Sequence, residues 1–262
     1  MIFSEVLDSV RASADGFVAD IGDDWLQGRT AFGGLQSALA IRALRQVIGN
    51  DIPLRVVQTT FMAPVPGGVV QLQPRVLRVG KSATHAECRI VLDGQVLCLV
   101  IAVFGSTRES TVQVAPARPE KPAAEQAKEL PYIPGVVPVF TQHFSMRWAE
   151  GRFPFTGASD PRTVIHVRHR EEQTLGEGHL IALADTVPSP GLSLLKKPAM
   201  ASSMTWTLEL LDHDFDVAHD AHWRMDTEVT AAANGYMAQS ASLWSPKGKL
   251  AALSRQSVVV FG

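Results

Sequence analysis

The sequence predicts an α+β protein built from two similar halves. Three observations lead there. A helix opened by a glycine pair is followed by a run of β-branched and alternating segments. A second succession of helix and strands repeats that plan, and a proline-rich stretch separates the two near mid-chain. The 262 residues suffice for one large domain or two of ordinary size. With 46% hydrophobic and 19% charged residues, a core is easily built and most of the chain is expected to be ordered.

The elements follow in order. Gly33 and Gly34 introduce LQSALAIRALRQVIGN, in which Leu35, Leu39 and Ala43 recur about a turn apart. Arg42, Arg45 and Gln46 mark a wetter side, and Gly49 and Asn50 supply the stop, so a helix of about four turns is expected. Residues 54–62 read as a strand ended by Pro64, Pro66, Gly67 and Gly68, and residues 69–79 as a second strand ended by Gly80. In residues 85–92, Ala86, Cys88, Ile90 and Leu92 share one face, with His85, Glu87 and Arg89 on the other. Asp93-Gly94 is a hairpin signal. Residues 96–104 are apolar on both faces, as expected of a central strand covered on both sides.

Between residues 105 and 140 the composition shifts. Pro116, Pro119, Pro122, Pro131, Pro134 and Pro138 occur among Ala, Glu and Lys, which predicts a partly extended linker. Beyond it, residues 163–169 read as a strand and 179–187 as an apolar helix stopped by Pro188 and Pro190. Residues 202–211, 221–229, 235–244 and 250–261 read as strands. The halves end alike: DGQVLCLVIAVFG after Gly80 is echoed by KGKLAALSRQSVVVFG after Gly235. Two copies point to a duplicated domain rather than a solenoid, with a first domain at 1–110, a linker at 111–140 and a second domain at 141–262.

Charge excludes several functions. The net charge is −2 and the cations are scattered, so neither nucleic acid nor an anionic membrane is an expected partner. Cys88 and Cys98 sit among apolar neighbours in successive strands and read as inert core thiols in a reducing compartment. The start of the chain lacks a basic segment followed by an apolar run, and the apolar stretch 96–104 is far short of the ~20 residues of a membrane span. A soluble, cytoplasmic protein is expected. Ser193-x-x-Lys196 lacks companion motifs. Asp212, Asp214 and Asp216 imitate a calcium loop, but Val217 and Trp223 occupy positions that need Gly and Glu. His213, His219 and His222 beside them read as a solvated turn, Gly176-Glu177-Gly178 lacks a third glycine, and there is no G-x-S-x-G elbow. Trp148, Trp206 and Trp223 are expected in the core.

Where the halves differ, candidate chemistry appears. Counting from the turn glycines, Gln256 is the counterpart of Ala102, and Ser254 shares its strand face. A buried amide there needs partners, whereas a solvent-facing strand would need none. HLIALADTV is apolar almost all round except for Asp185, so that carboxylate is either bonded at a helix end or held in a cleft with a shifted pKa. Ser203, Thr205 and Thr207 alternate along one expected strand and suit either a wet sheet face or a water-holding site.

The segments GRTAFGG with its helix, TTFMAPVPGG and GKSATHAECRIVLDGQVLCLVIAVFG resemble the first half of acyl-CoA thioesterase II and its relatives. HLIALADTVPS, SSMTWTLELL and GKLAALSRQ resemble their second half. The resemblance implies a double hotdog fold, two repeats each with an antiparallel sheet wrapped around a central helix. It also implies hydrolysis of acyl-CoA thioesters without cofactor or metal, and a homodimer or larger homo-oligomer. The family's Asp, Thr and Gln fall on Asp185, Ser203 and Gln256. A shift of two residues would select Thr205 in place of Ser203. Gly33 and Gly34, at a helix start, are the expected oxyanion donors. Two rivals stand beside this: a hydratase or dehydratase using an Asp–His pair, for which His179 is badly spaced from Asp185, and a non-catalytic acyl-thioester binder.

Overall fold

The computed structural model describes residues 1–261; Gly262, the last residue of the expected second domain, lies outside them. The chain forms α1 (Phe3–Asp8), β1 (Arg11–Ser13), β2 (Gly16–Ile21), the short pair β3 (Leu26–Gln27) and β4 (Thr30–Ala31), and α2 (Gly33–Ile48). Four strands follow: β5 (Leu54–Phe61), β6 (Gly68–Val79), β7 (Ala83–Leu92) and β8 (Gln95–Gly105). After β9 (Lys128–Leu130) come β10 (Phe144–Glu150), β11 (Arg162–His169), α3 (Glu177–Leu183), β12 (Met200–Leu210), β13 (Trp223–Ala233), β14 (Tyr236–Trp244) and β15 (Leu250–Phe261).

Thirteen strands make one antiparallel sheet in the order β1-β2-β6-β7-β8-β5-β12-β15-β14-β13-β11-β10-β9. The β5–β12 pair is the seam between the first and second parts of the chain, in register from Thr60 opposite Thr205 to Val56 opposite Glu209. Outward from that seam, β8, β7 and β6 follow on one side and β15, β14 and β13 on the other. α2 and α3 pack on each other; a Cβ added to Gly34 would stand 3.0 Å from Ala182 Cα.

α2 is enclosed by strands on one side and by α3 on the other, so Leu35, Leu39, Ile41 and Leu44 are all buried. Each such side chain contributes about 1.5–3 kcal/mol. Arg45 ties the end of α2 to the start of α3: Nε and Nη2 reach the two Glu177 oxygens at 2.6 and 2.7 Å, and Nη1 reaches the carbonyls of Gly49 and Ile52. Its guanidinium also lies 4.6 Å from the Phe104 ring centroid.

Some elements carry no sequence signal. Six residues cannot sustain a helix alone, yet α1 forms because it is docked. Phe3 and Val6 are buried, Phe3 packs on Trp25, His169 and His179, and the Ser4 N–H and Oγ each donate to Glu171 at 3.1 Å. The expected linker is also less free than its composition suggests. β9 pairs with β10, His166 Nε2 contacts the Pro122 carbonyl at 2.9 Å, and Arg147 donates to the Ala124 carbonyl at 3.1 Å.

One expectation needs correction. β8 is covered fully on one face only: Cys98, Val100, Ala102 and Phe104 are buried, while Leu99, Ile101 and Val103 are half-buried. In register, Arg89 and Thr60 flank Leu99, Glu87 and Gln58 flank Ile101, and His85 and Val56 flank Val103. Cys88 and Cys98 are free thiols; burial pushes Cys88 up to about 12 and raises Cys98 as well. Trp148, Trp206 and Trp223 are core residues. Among the described residues no helix is long and apolar enough to cross a membrane.

Candidate active site

The site begins where α3 stops. The helix ends at Leu183, shorter than the expected 179–187, because Pro188 disfavours helical backbone before it and the last turn is closed locally. Thr186 Oγ1 donates to the Ala182 carbonyl at 2.8 Å, and the Asp185 N–H donates to the same oxygen at 3.2 Å. Asp185 therefore leaves the helix axis and points its carboxylate toward the start of α2.

Gly33 makes room for it. A Cβ there would meet Asp185 Oδ2 at 2.8 Å and the Phe61 ring at 2.9 Å, so only a glycine lets the carboxylate and that ring approach. Gln256 Nε2 closes the other side by donating to Asp185 Oδ1 at 2.6 Å. Burial between these groups pushes the Asp185 pKa up to about 7, against the opposing pull of the Gln256 amide and the Gly34 backbone N–H. A carboxylate so placed can accept a proton near neutral pH.

Gln256 lies on β15 opposite Trp206 and faces inward, as does Ser254, whose hydroxyl accepts the Trp206 Nε1 hydrogen at 2.8 Å. The amide oxygen of Gln256 accepts from Ser203 Oγ at 3.0 Å and from Gln239 Nε2 at 3.1 Å, and Gln239 Oε1 accepts from Ser189 Oγ at 2.5 Å. Five side chains from β12, β14, β15 and the loop after α3 thus form one network ending on Asp185.

The three hydroxyls expected on one face do not share it. The pairing of β12 with β15 slips between Ser203, opposite Val258, and Thr205, opposite Ser257, which leaves Met204 as the extra residue of a bulge. A bulge changes the phase of the alternation. Ser203 turns inward toward Gln256, and Thr205 is exposed on the opposite face with Thr207 beyond it. The structure brings Asp185, Ser203, Gln256, Gly33 and Gly34 together and leaves Thr205 apart.

Gln239 and Ser189 escaped the sequence reading. The signal for Gln239 lies in its strand, where it is in phase with buried Met237 and Leu243 and is the polar member of that face. Ser189, between two prolines, carries no such pattern. Among the described residues no cluster of His, Cys, Asp and Glu is arranged to hold a metal, and Asp214 is paired with Lys247 at 2.8 Å. A concavity of about 1110 Å³ lies among Lys121, Arg162, Glu228, Ser242 and Trp244, and no member of the Asp185 network lines it. Its charges include the pairs Lys121–Glu150 and Arg162–Asp160, so chemistry favours the Asp185 network over volume.

The comparisons agree in kind. Among solved structures, a hot dog fold protein from Alicyclobacillus acidocaldarius superimposes with a TM-score of 0.88 at 21% identity, covering 99% of this chain and 98% of that one. A tesB protein from Mycobacterium avium subs paratuberculosis matches at 0.81 and 15% over 100% of both chains, and an acyl-CoA thioesterase II from Mycobacterium marinum at 0.79 and 14% over 99% and 98%. The fold is therefore of the hotdog type. No curated protein matches the chain in sequence. The acyl-CoA thioesterase N-terminal domain matches residues 21–105 and the C-terminal domain matches residues 115–260, and the chain belongs to the acyl-CoA thioesterase family.

Proposed function

We propose that this enzyme hydrolyses acyl-CoA thioesters to the free acid and CoA, with Asp185 as general base. The observation that carries the proposal is the Gln256 amide, which bonds Asp185 through its nitrogen and Ser203 through its oxygen. A water between the carboxylate and the Ser203 hydroxyl gives its proton to Asp185 as its oxygen attacks the thioester carbonyl carbon. The carbonyl electron pair moves onto oxygen, where the backbone N–H groups at the start of α2, around Gly33 and Gly34, stabilise it. The pair returns, the carbon–sulfur bond breaks, and the thiolate takes up the proton held by Asp185.

In this reading the chain is two hotdog units, residues 1–110 and 141–262, joined by 111–140. The mirrored strand order about β5–β12 supports it. The site then forms where the second unit's Asp185 meets the first unit's α2.

A hydratase would need a histidine beside the acid. His179 is engaged elsewhere: Nδ1 accepts the Gly176 N–H at 3.2 Å, and Nε2 contacts Glu171 at 2.7 Å and Ser4 at 3.1 Å. The test is thiol release measured with Ellman's reagent over acyl-CoAs from acetyl to palmitoyl, including aromatic ones. Asp185→Asn and Gln256→Ala should each lower turnover about 100-fold or more while the protein stays folded. Full activity in either variant would overturn the assignment, and a folded wild type that binds acyl-CoA without releasing thiol would be a binding protein.

A further inference from the structure

We infer that Gln239 and Ser189 are positioning residues, which hold the Gln256 amide so that its N–H₂ group faces Asp185 throughout turnover. The inference rests on the thioesterase reading and adds to it two residues outside the Asp185, Ser203 and Gln256 set.

Donor polarity fixes the direction of the amide. An amide side chain presents two ends of nearly equal shape, and only its partners decide which end faces which way. An ionised Asp185 can only accept, so it demands the Gln256 nitrogen, which lies 2.6 Å away. That leaves the Gln256 oxygen for Ser203 and Gln239. A serine hydroxyl donates or accepts with equal ease, so Ser203 alone permits either orientation of the amide. Gln239 does not, provided its own nitrogen faces Gln256: a flipped Gln256 would then set N–H₂ against N–H₂ at a separation of 3.1 Å. Reversing Gln256 would therefore require Gln239 to reverse with it, and Ser189, whose hydroxyl sits 2.5 Å from Gln239 Oε1, anchors the far end of Gln239 without choosing its direction.

The lock matters most when Asp185 has taken the proton. A neutral carboxyl can donate as well as accept, so its demand on Gln256 disappears at the moment the intermediate must collapse. Gln239 is half-buried, tied to β14 and unaffected by that proton, and it retains the amide orientation for the next cycle. Ser189 lies four residues beyond Asp185 in the same loop, so one chain segment supplies both ends of the network.

Three variants test this, with the acyl-CoA that the wild type turns over fastest and with Asp185→Asn as control. Gln239→Met keeps the volume and removes the donor. Its kcat should fall by about 10–100-fold, the range typical of outer-shell partners, with KM within about twofold. The acidic limb of its pH–rate profile should move to higher pH, since Asp185 loses a well-held donor to its charged form. Gln239→Glu is closer in shape to the native residue but presents an acceptor that attracts the Gln256 N–H₂ group away from Asp185. It should be worse than Gln239→Met, the reverse of the order that packing alone would give. Ser189→Ala should show the same limb shift with a smaller loss, and it carries the test from the loop if the strand variants fail to fold. Wild-type kcat and an unmoved acidic limb in these variants, with Asp185→Asn inactive, would overturn the positioning role and leave the reaction standing. So would losses ranked by shape, with Gln239→Glu the better of the two. An active Asp185→Asn would instead remove the thioesterase mechanism, and this inference with it.

Discussion

Replacing Asp185 by Asn should inactivate the enzyme and stabilise it, by an amount that depends on pH in a calculable way. Burial raises the Asp185 carboxyl from 3.8 to about 7 in the folded protein. Between those values the folded state holds a proton that the unfolded chain has released, so stability falls as pH rises from about 4 to 7 and is level above. At 1.36 kcal/mol per unit, the ionisable Asp185 costs about 4 kcal/mol at pH 8 but less than half of that at pH 5. Asn has no such linkage. Whatever fixed effect the substitution has on packing, its benefit should be larger at pH 8 than at pH 5 by about 3 kcal/mol. At roughly 2–4 °C per kcal/mol for a chain of this size, that is an extra 6–12 °C in Tm. Thermal and denaturant unfolding of both proteins at the two pH values measures it. In parallel, wild-type kcat/KM should rise about tenfold per unit below pH 7 and level off above it. Equal stability effects at pH 5 and pH 8, or a flat rate profile between them, would mean an Asp185 that ionises normally, with no raised pKa and no linkage to folding.

Ser203→Ala should lower kcat about tenfold, one lost hydrogen bond to the amide being worth ~1–1.5 kcal/mol, whereas exposed Thr205→Ala should stay within about twofold; steady-state kinetics of the pair separates them. Gly33→Ala should lower kcat at least about tenfold through displacement of Asp185 and Phe61, with stability changed by no more than about 1 kcal/mol, because both obstacles are side-chain tips. Arg45→Ala should cost about 3–5 kcal/mol by leaving Glu177 and two carbonyls without their partner, measured as a fall in denaturation midpoint.

Much of the architecture was legible because it is written in nearest neighbours. The phasing of Leu35, Leu39 and Ala43 announces α2, the alternation at residues 85–92 announces β7, and Asp93-Gly94 announces the turn after it; each is a local pattern that the tertiary fold leaves in place. Asp185 and Gln256 stood out for the same reason, as polar residues inside otherwise apolar segments. α1 and β9 were not legible, since both exist only by docking onto residues far along the chain: Phe3 against His169 and His179, and β9 along β10.

Local pattern thus carried α2, α3 and the long strands, and marked two polar groups that needed an explanation. That Ser203 reaches Gln256 and Thr205 does not follows from a bulge, and a bulge is a property of how β12 registers against β15 rather than of β12 alone. The tertiary structure also decided what Gly33 is for, since the carboxylate and ring that occupy its missing side chain come from residues 185 and 61. Gln239 and Ser189 joined the site by bonds spanning 17 and 50 residues, with Asp185 and Gln256 joined across 71. Hydrogen-bond partners so distant in sequence leave no periodicity behind them, because it is the folded backbone that sets their separation.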